Sequence, residues 1–532
     1  MKKTLIITLA TLVCANLLFG QSFLLQKPNI NSDSSQVSEG LPSNGITQMQ
    51  IQGDSTIWFG TGGGLSKTTD FGVSFLSFFP GSGGLPIGGV TSLAVHDSIH
   101  DSIHYSIVWT AGVSDSSTDV GSQQTGRGLA YSTDYGDTWT YIPQPIDSLN
   151  DEWEIWGGDS VECLPVVTTI NNTTWDIAVT DDFVYIVSWA GGLRRSSDSG
   201  QSWQRVPLPT DDANELDLEE TNYEINPRDP SGGGNHNHKG FSVLAYGDTV
   251  WAGTANGVNF GVTQADSTIH WTKYNFSNSG LPGNFIVGLH RQLFNGVETI
   301  WAVCLAAEGA GEFRAIGKFD VYNKSWATTL AGERCYSVNS YGSVVYVSSE
   351  RGLFKSVDGE NWALYEPMEN SETGDRILSE KVYTSLVDTR EGIPYLWCGT
   401  GDGIAKTAND GIDWNIKRAI VSTKSESEPE IYAYPNPFAP TRHNIVGDMG
   451  FVRIQYYLES PATVFLEVYD FAMDLVYRGE KHNVINIGDN CELWSGASQN
   501  GELVANGVYF CKLTRKTNGN AKSDWTKLII IK

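Results

Sequence analysis

The sequence predicts an all-β protein, with a seven-bladed β-propeller followed by a small β-sandwich. A strand-turn-strand unit recurs seven times, and the pattern changes after an acidic, Ser-rich linker. The composition of 57 Gly, 17 Trp and 22 Tyr against 5 Met is typical of β-sheets joined by tight turns. We expect a signal peptide at 1–20, the propeller at 21–420, the linker at 421–430 and the sandwich at 431–532.

The first twenty residues are typical of a secretory signal peptide. Lys2 and Lys3 precede an apolar run over 5–13, and Gly20 offers a small residue for cleavage. The run is shorter than the ~20 residues that span a membrane. The alternative is an apolar first strand in a cytosolic protein. We therefore expect a secreted or outer-surface protein with no transmembrane segment after signal cleavage.

The net charge argues against some binding partners, and the cysteine pattern limits which zinc sites and disulfides can be expected. With 35 Lys and Arg against 61 Asp and Glu, the formal charge is −26, which argues against nucleic acid because phosphate binding needs a basic surface. Six of the seven cysteines follow residue 20, and no CxxC pair supports a structural zinc site. Cys304 and Cys398 lie in apolar strand-like runs typical of buried free thiols, whereas Cys491 and Cys511 could form a disulfide.

Each repeat begins with an alternating strand and continues with a second strand that carries an aromatic residue. Period-2 alternation indicates strands rather than helices, and repeats of roughly 45 to 77 residues with four strands each are typical of propeller blades. Seven sheets packed around an axis bury faces that one sheet cannot bury alone; six or eight blades are the alternatives. The second-strand aromatics are Trp58, Trp109, Tyr185, Trp251, Trp301, Tyr346 and Trp397.

A turn with the pattern S-x-D-x-G-x-x-W follows the third strand of several repeats. It resembles the Asp-box of sialidase-like (BNR repeat) propellers. Asp and Ser can bond to turn backbone, Gly tolerates positive φ and Trp can pack between sheets, so these residues are expected to be structural rather than catalytic. The turn residues are Ser132, Asp134, Gly136, Trp139, Ser196, Asp198, Gly200 and Trp203, with partial copies at Asp358, Trp362, Gly411 and Trp414.

Long insertions are expected on the face opposite these turns, because strand direction alternates within a blade. They span 111–126, 142–172, 206–238, 305–316 and 365–379. Aromatic rings that stack on sugars, with carboxylates for hydroxyls or Ca²⁺, would suit glycan binding, although a solvated acidic loop is the alternative. Two histidines alone are weak grounds for a metal, so no metal or other cofactor is expected. The candidate ligand-binding residues are Trp153, Trp156, Asp159, Glu162, Asp211, Asp212, Glu215, Asp217, His236 and His238.

After the linker, the last hundred residues carry a YPNPF motif and a set of spaced Trp, Gly and Tyr residues. These residues include Tyr434, Pro435, Asn436, Pro437, Phe438, Trp494, Gly496, Gly507 and Tyr509. On this motif the segment resembles the Ig-like C-terminal domains of type IX secretion cargo and of flagellar hook-capping (FlgD-like) proteins. This chain departs from them at 472–474, where family members often have Gly, and at Ser495, which replaces Asp. The resemblance implies a C-terminal sorting domain that engages a type IX-like secretion machinery.

Two functions remain open from the sequence. The first is a secreted propeller that binds an extracellular glycan or protein without catalysis. The alternative is a sialidase-like or xyloglucanase-like glycoside hydrolase acting on the insertion-bearing face, which would need two placed carboxylates. A degenerate sialidase-like arginine cluster could draw on Arg194, Arg195, Arg314 and Arg334.

Overall fold

The structure is a computed structural model, and its described residues fall into two compact units. The predicted signal peptide lies outside the described residues. The first unit contains the described residues up to Met368 and Lys381–Lys417, and the second contains Glu369–Glu380 and Arg418–Lys532. The structure describes 37–100, 103–119, 121–219, 223–307, 309–390, 392–424, 429–517 and 519–532.

The first unit contains seven antiparallel blades, each built around four strands that are consecutive in the sequence, and one smaller inserted sheet. Blade 1 consists of β2 (Ile46–Gln52), β3 (Thr56–Thr61), β4 (Gly64–Thr68) and β5 (Leu76–Phe78), with β1 (Val37–Glu39) added outside β5. Blade 2 consists of β6 (Gly89–His100), β7 (Ile103–Thr118), β8 (Gly121–Ser132) and β9 (Thr140–Ile142). A separate sheet of β10 (Trp153–Trp156), β11 (Asp159–Cys163) and β16 (Glu224–Ile225) is inserted around blade 3, which consists of β12 (Thr174–Val179), β13 (Val184–Ser188), β14 (Gly192–Ser196) and β15 (Gln204–Arg205).

The remaining four blades follow the same order from first to fourth strand. Blade 4 consists of β17 (Gly240–Tyr246), β18 (Thr249–Thr254), β19 (Gly257–Thr263) and β20 (Ile269–Tyr274), and blade 5 of β21 (Phe285–Phe294), β22 (Val297–Leu305), β23 (Ala315–Asp320) and β24 (Ser325–Thr329). Blade 6 consists of β25 (Cys335–Tyr341), β26 (Val344–Ser349), β27 (Gly352–Ser356) and β28 (Ala363–Leu364), and blade 7 of β29 (Val382–Asp388), β30 (Tyr395–Thr400), β31 (Gly403–Thr407) and β32 (Asn415–Lys417). Short helices are α1 (Phe276–Ser279) and the 3-10 turns Pro230–Gly232 and His236–His238.

The seven blades close into a ring, which confirms the predicted fold class. The first strands pack in chain order from β2 to β29, and β29 packs against β2. Because the four strands of every blade are consecutive, the ring closes between two complete blades. Lys406 of blade 7 donates to the Phe71 carbonyl of blade 1 at 2.6 Å, and the rings of Phe59 and Trp397 lie 5.8 Å apart across this closure.

The burial pattern explains why these segments form blades. Second strands are covered on both faces by neighbouring blades, as in β3, where all six residues are buried. The predicted second-strand aromatics are accordingly in the core, with Trp58 and Trp109 fully buried. Each first strand also contains a β-bulge at its second or third residue, for example between Thr174 and Asp176, and such a bulge changes the direction of the adjacent side chains.

The second unit consists of two antiparallel sheets that share one apolar core. The core draws on both sheets, with Val452 and Trp494 from one sheet and Val464 and Leu513 from the other. One sheet contains β33 (Ile431–Tyr434), β34 (Val452–Leu458) and β38 (Gly488–Trp494). The other contains β35 (Ala462–Tyr469), β36 (Leu475–Arg478), β37 (His482–Val484), β39 (Gly507–Thr517) and β40 (Asn520–Ile530).

Part of the predicted sorting motif, the segment 434–438, lies at the start of this unit and contacts its last strand. The backbone N–H of Phe438 donates to the Ile529 carbonyl at 2.8 Å, and the Ile529 N–H donates to the Asn436 side chain at 3.0 Å. This segment therefore pairs with the terminal strand. Of the other motif residues, Trp494 and Tyr509 are buried, Gly496 and Gly507 have positive φ, and the peptide bonds before Pro435 and Pro437 are cis.

The structure adds to the sequence predictions for two cysteines and for two of the insertions. Cys491 and Cys511 are free thiols in different sheets, so the disulfide left open by the sequence does not form in this structure. The insertion at 365–379 lies between blades 6 and 7 in sequence, but Glu369–Glu380 packs with the second unit. The insertion at 111–126 is a continuation of the β7–β8 hairpin rather than a loop. No helix among the described residues is long and apolar enough to cross a membrane.

Candidate functional site

The alternation of strand direction separates two faces of the ring. Connections between the third and fourth strands carry the S-x-D-x-G-x-x-W segments, which we call the tryptophan turns. Connections between the second and third strands, and between successive blades, leave on the opposite side, which we call the insertion face. The insertions at 142–172 and 206–238 start from the insertion face.

Side-chain hydrogen bonds hold the tryptophan turn of blade 2 closed. The Ser132 hydroxyl donates to the Asp134 carboxylate at 2.7 Å and accepts from the Gly136 N–H at 2.8 Å. Asp134 also accepts from the Thr138 N–H at 2.9 Å. Hydrogen bonds from the Ser202 hydroxyl, its backbone N–H and the Ser196 hydroxyl lower the pKa of Asp198 to about 2. The same bonding recurs at Thr68 and Asp70, Ser196 and Asp198, Ser356 and Asp358, and Thr407 and Asn409.

Each of these turns also docks on the preceding blade. A Cβ atom at Gly136 would lie 2.5 Å from the Trp58 ring of blade 1, and Gly136 has φ of +87°. Trp139 of the same turn packs edge-on against Trp58, with ring centroids 5.6 Å apart. Across the ring closure, a Cβ at Gly72 would lie 2.6 Å from Trp397. Hydrogen bonding and packing thus give these turn residues a structural role in joining adjacent blades. Trp203, Trp362 and Trp414 lie in the corresponding turns, where Gly200 and Gly411 have positive φ.

A buried ionic cluster fixes the first insertion to blade 3. Asp147 accepts two hydrogen bonds from the Arg194 guanidinium at 2.8 and 2.9 Å and one from Arg205 at 3.3 Å. Arg205 also reaches Glu154 at 3.5 Å. The side chains of Arg194 and Asp147 are only 4% and 7% exposed. Paired charges in such a setting hold the insertion rigidly, because separating them would leave a buried ion unpaired.

The hairpin β10–β11, which we call the inserted hairpin, presents one buried and one exposed face. Trp156 is buried, and the Arg195 guanidinium lies 4.4 Å from its ring centroid. Trp153 and Ile155 point the other way and are each 57% exposed. Trp153 pairs directly with Glu162 across the hairpin, so the indole and an exposed carboxylate are neighbours on the same face. Asp159 is also exposed, at the hairpin turn.

The second insertion uses several of its predicted ligand residues internally. The Asp211 carboxylate accepts from the backbone N–H groups of His236 and Asn237 at 2.9 and 2.8 Å. His238 is buried; its Nδ1 accepts from the Asn226 N–H at 2.9 Å, and its Nε2 lies 3.0 Å from the Leu208 carbonyl. This pairing requires a neutral ring that donates from Nε2, and burial lowers the His238 pKa.

The structure therefore does not gather the ten candidate residues into one groove. Internal packing or hydrogen bonding already uses the side chains of Trp156, Asp211 and His238. His236 contacts Lys239. Trp153 and Glu162 form an exposed pair, while Asp212, Glu215 and Asp217 are exposed on the second insertion. Within the described residues, no cluster of three or more His, Cys, Asp and Glu side chains is placed to hold a metal ion.

Three of the four arginines considered for a sialidase-like cluster have separate partners. Arg194 and Arg195 are consecutive in β14 and project to opposite faces, where Arg194 binds Asp147 and Arg195 donates to Gln204 at 2.9 Å. Arg314 donates to the Gly332 carbonyl at 2.7 Å. Arg334 lies at the start of blade 6, near Tyr336 and Tyr383.

Asp176 is a buried carboxylate that the sequence analysis did not single out. It lies in the first strand of blade 3, lines the central channel of the ring, and accepts from the Val243 and Ile177 N–H groups, both at 3.0 Å. Burial without a cationic partner raises the pKa of Asp176 to about 7. The sequence contained a signal for Asp176, since this acidic residue interrupts the apolar strand at 174–179. In contrast, no local sequence pattern indicates that Asp147 anchors an insertion.

Comparison with known proteins identifies no family for this chain. The chain matches no protein-family model and no curated protein. Its structure is similar to PorZ, an essential surface component of the type IX secretion system of Porphyromonas gingivalis, with 14% identity, coverage of 92% of this chain and 75% of PorZ, and a TM-score of 0.33. It is also similar to an ancestral GH74 enzyme, with 13% identity over 93% of this chain and 64% of the enzyme and a TM-score of 0.49, and to Niastella koreensis GH74, with 14% identity over 94% and 75% and a TM-score of 0.46. At these identities the similarities concern the fold alone.

Proposed function

We propose that this protein is a secreted or surface-displayed propeller that binds an extracellular glycan through the inserted hairpin, without catalysis. The exposed pairing of Trp153 with Glu162 carries the proposal. An indole face can stack on the apolar side of a sugar ring, and an adjacent carboxylate can accept from sugar hydroxyls. The buried Asp147 cluster supports it, because a rigid platform loses little entropy on binding.

Three insertion carboxylates are held in structural contacts, which removes them as catalytic groups for the glycoside hydrolase alternative and leaves the exposed Asp159, Glu162, Asp212, Glu215 and Asp217. Asp147 and Glu154 neutralise buried arginines, and Asp211 binds backbone N–H groups. A hydrolase needs two carboxylates free to protonate a leaving group and to activate water or attack the sugar. Asp147, Glu154 and Asp211 are occupied by structural contacts instead.

A glycan array tests the binding proposal. We expect the wild-type protein to bind a subset of glycans, and Trp153→Ala to weaken that binding at least tenfold while the melting temperature is retained. Trp525→Ala is the matched control, because Trp525 is 47% exposed on β40 in the second unit. Equal binding by all three proteins, or binding only to protein ligands, would refute the proposal. Turnover of a chromogenic glycoside that one carboxylate substitution abolishes would establish the hydrolase alternative.

We further propose export by a type IX-like route through the second unit. The proposal rests on the sequence resemblance of 431–532, and the clamping of Asn436 and Phe438 onto the terminal strand supports it by giving that motif a role in fixing the chain end. Residues 421–532 fused to a signal-bearing reporter should reach the medium or cell surface of a type IX-competent host. Retention of the fusion in the periplasm would contradict this route.

A further inference from the structure

In the second unit, the sheet of β35, β36, β37, β39 and β40 has one face in the core and one face directed outward. Successive side chains of a strand alternate between the two faces. Val464 and Leu513 accordingly enter the core, whereas Tyr469, Phe510 and Trp525 are directed outward. We call this second side the outer face. Outward positions of an antiparallel sheet are ordinarily polar, and the outer face instead carries a group of aromatic rings.

The aromatic rings of the outer face form one continuous group. Tyr469 and Phe510 are direct partners on neighbouring strands, and the ring centroids of Tyr469 and Trp525 lie 5.4 Å apart. The centroids of Phe471 and Phe510 lie 6.4 Å apart. Leu475, the cross-strand partner of Tyr469, is 44% exposed, Trp525 is 47% exposed and Phe471 is 77% exposed. Contiguous exposed apolar side chains of this kind are characteristic of a surface that binds another molecule.

Cations on the strands of the outer face outnumber carboxylates. Glu467 is the one carboxylate among the outward strand residues that the structure describes, and Arg478 and Lys512 neutralise it at 2.8 and 3.4 Å. Lys516 and Lys527 are outward residues of β39 and β40, and both are exposed. Within the described part of the chain, neither of these two amines pairs with a carboxylate. Their charge is therefore available to a partner.

Two further carboxylates, Asp470 and Asp474, border the outer face in the β35–β36 turn. The Asp470 carboxylate accepts from the Asp474 N–H at 2.9 Å, so it is engaged within the turn. The strands of the outer face thus carry unpaired positive charge around an apolar centre, in a chain whose formal charge is −26. Charge complementarity favours a partner whose binding surface is apolar and bordered by carboxylates.

We propose that the outer face is the surface on which the export machinery docks, and that this protein partner presents an apolar surface bordered by carboxylates. The inference rests on the proposed export through the second unit, and it names the side of that unit that the partner contacts. Phe471 and Phe510 pack against the apolar part of the partner, while Lys516 and Lys527 pair with its carboxylates. Aromatic residues at the centre and charged residues at the rim are the usual composition of a protein interface.

Export of the full chain from a type IX-competent host tests this proposal. The measurement compares the amount of protein in the medium and on the cell surface with the amount in the periplasm. We expect Lys516→Glu with Lys527→Glu to lower the exported fraction at least tenfold, and Phe471→Ala with Leu475→Ala to do the same. Because these four side chains are exposed, both variants should keep the melting temperature of the wild type. Lys516→Arg with Lys527→Arg preserves the charge and should be exported normally.

Ile485→Ala with Ile487→Ala is the matched control for the apolar variant. These side chains are 71% and 64% exposed, but they lie in the connection between β37 and β38 rather than on the outer face. The control should be exported like the wild type. If it is retained as strongly as the apolar variant, the effect is not specific to the outer face and the proposal is refuted.

The remaining outcomes separate this inference from the proposed export route. Normal export of both the charge-reversed and the apolar variant would refute docking at the outer face while leaving export through the second unit in place. Retention of the wild-type chain in the periplasm would contradict the export route itself. Self-association of the purified wild type that both variants abolish, without any change in export, would assign the outer face to a second copy of this chain and overturn the proposal.

Discussion

The Asp176 carboxylate should make the stability of the propeller fall as pH rises. Its pKa is raised from an ordinary 3.8 to about 7 by burial, so the folded state binds a proton that the unfolded state has already released between these values. Stability from this group is therefore fully present below pH 3.8, declines between pH 3.8 and 7, and is constant above. At about 1.4 kcal/mol per pKa unit, the decline reaches about 4 kcal/mol.

Asp176→Asn isolates this effect because the amide has no charge to bury. One oxygen of Asp176 accepts from the Val243 N–H, and an amide nitrogen placed there would lose that bond. That loss costs about 1 to 3 kcal/mol but does not depend on pH. The informative quantity is therefore the difference in unfolding free energy between variant and wild type as a function of pH, rather than its value at one pH.

Thermal and urea unfolding between pH 4.5 and 8.5, at constant ionic strength, measures this difference. We expect the unfolding free energy of the variant, relative to that of the wild type, to increase with rising pH by most of the 4 kcal/mol. For a unit of about 380 residues with ~2 cal/mol/K of unfolding entropy per residue, 4 kcal/mol corresponds to roughly 5 °C in melting temperature. A difference that stays flat across this range, or that changes in the opposite direction, would refute the reasoning.

Asp388→Asn provides the opposite control. Asp388 is also buried, but its carboxylate accepts from Arg390 Nε at 2.7 Å and Nη2 at 2.8 Å. Burial alone would raise its pKa, yet the hydrogen bonds and charge of Arg390 lower it overall. The extra unfolding free energy of the wild type over this variant should consequently decrease as pH falls toward and below 4, where the carboxylate takes up a proton in both the folded and the unfolded state.

Three further results are expected. Gly136→Ala should destabilise the ring by about 1 to 3 kcal/mol in denaturant unfolding, because φ is positive and the added methyl group would contact Trp58. The same change at exposed Gly374 should cost less, since φ is also positive there but no atom lies within 4 Å of the Cβ position. Asp147→Asn should cost about 3 to 5 kcal/mol and expose the inserted hairpin to limited proteolysis, since Arg194 loses its carboxylate; an unchanged cleavage pattern would contradict the anchoring role. Ellman titration without reductant should detect at most one reactive thiol in the folded protein and six after denaturation. All six cysteines after residue 20 are free, and five of them are buried. Fewer than six reactive thiols after denaturation would indicate a disulfide.

The repeats made the architecture predictable, because a blade is a local object. Its four strands are consecutive in the sequence, and an aromatic residue such as Trp58 or Tyr346 marks each second strand within a segment of alternating hydrophobicity. The role of Ser132 and Asp134 was equally predictable, since their hydrogen-bond partners lie within four residues in the sequence. Local chemistry of this kind can be read without knowing which distant segment lies nearby.

The candidate site was far less predictable. Composition made Trp153, Trp156, Asp211 and His238 look equivalent, yet only Trp153 is exposed. Trp156 and His238 are buried, and Asp211 binds backbone groups 25 and 26 residues further along the chain. Acidic and aromatic residues satisfy internal contacts as readily as they bind ligands, and a sequence does not distinguish these uses.

The seven blades, the order of strands within each blade and the tryptophan turns could be predicted from the sequence, because hydrogen bonds and packing within a blade connect residues close in the chain. The three-dimensional fold was needed to show which carboxylates pair with buried arginines, which indole faces solvent, and that Asp176 lines the central channel. Those outcomes depend on contacts between blades, where residues separated by one or more whole repeats share a space whose burial and charge neither segment specifies alone.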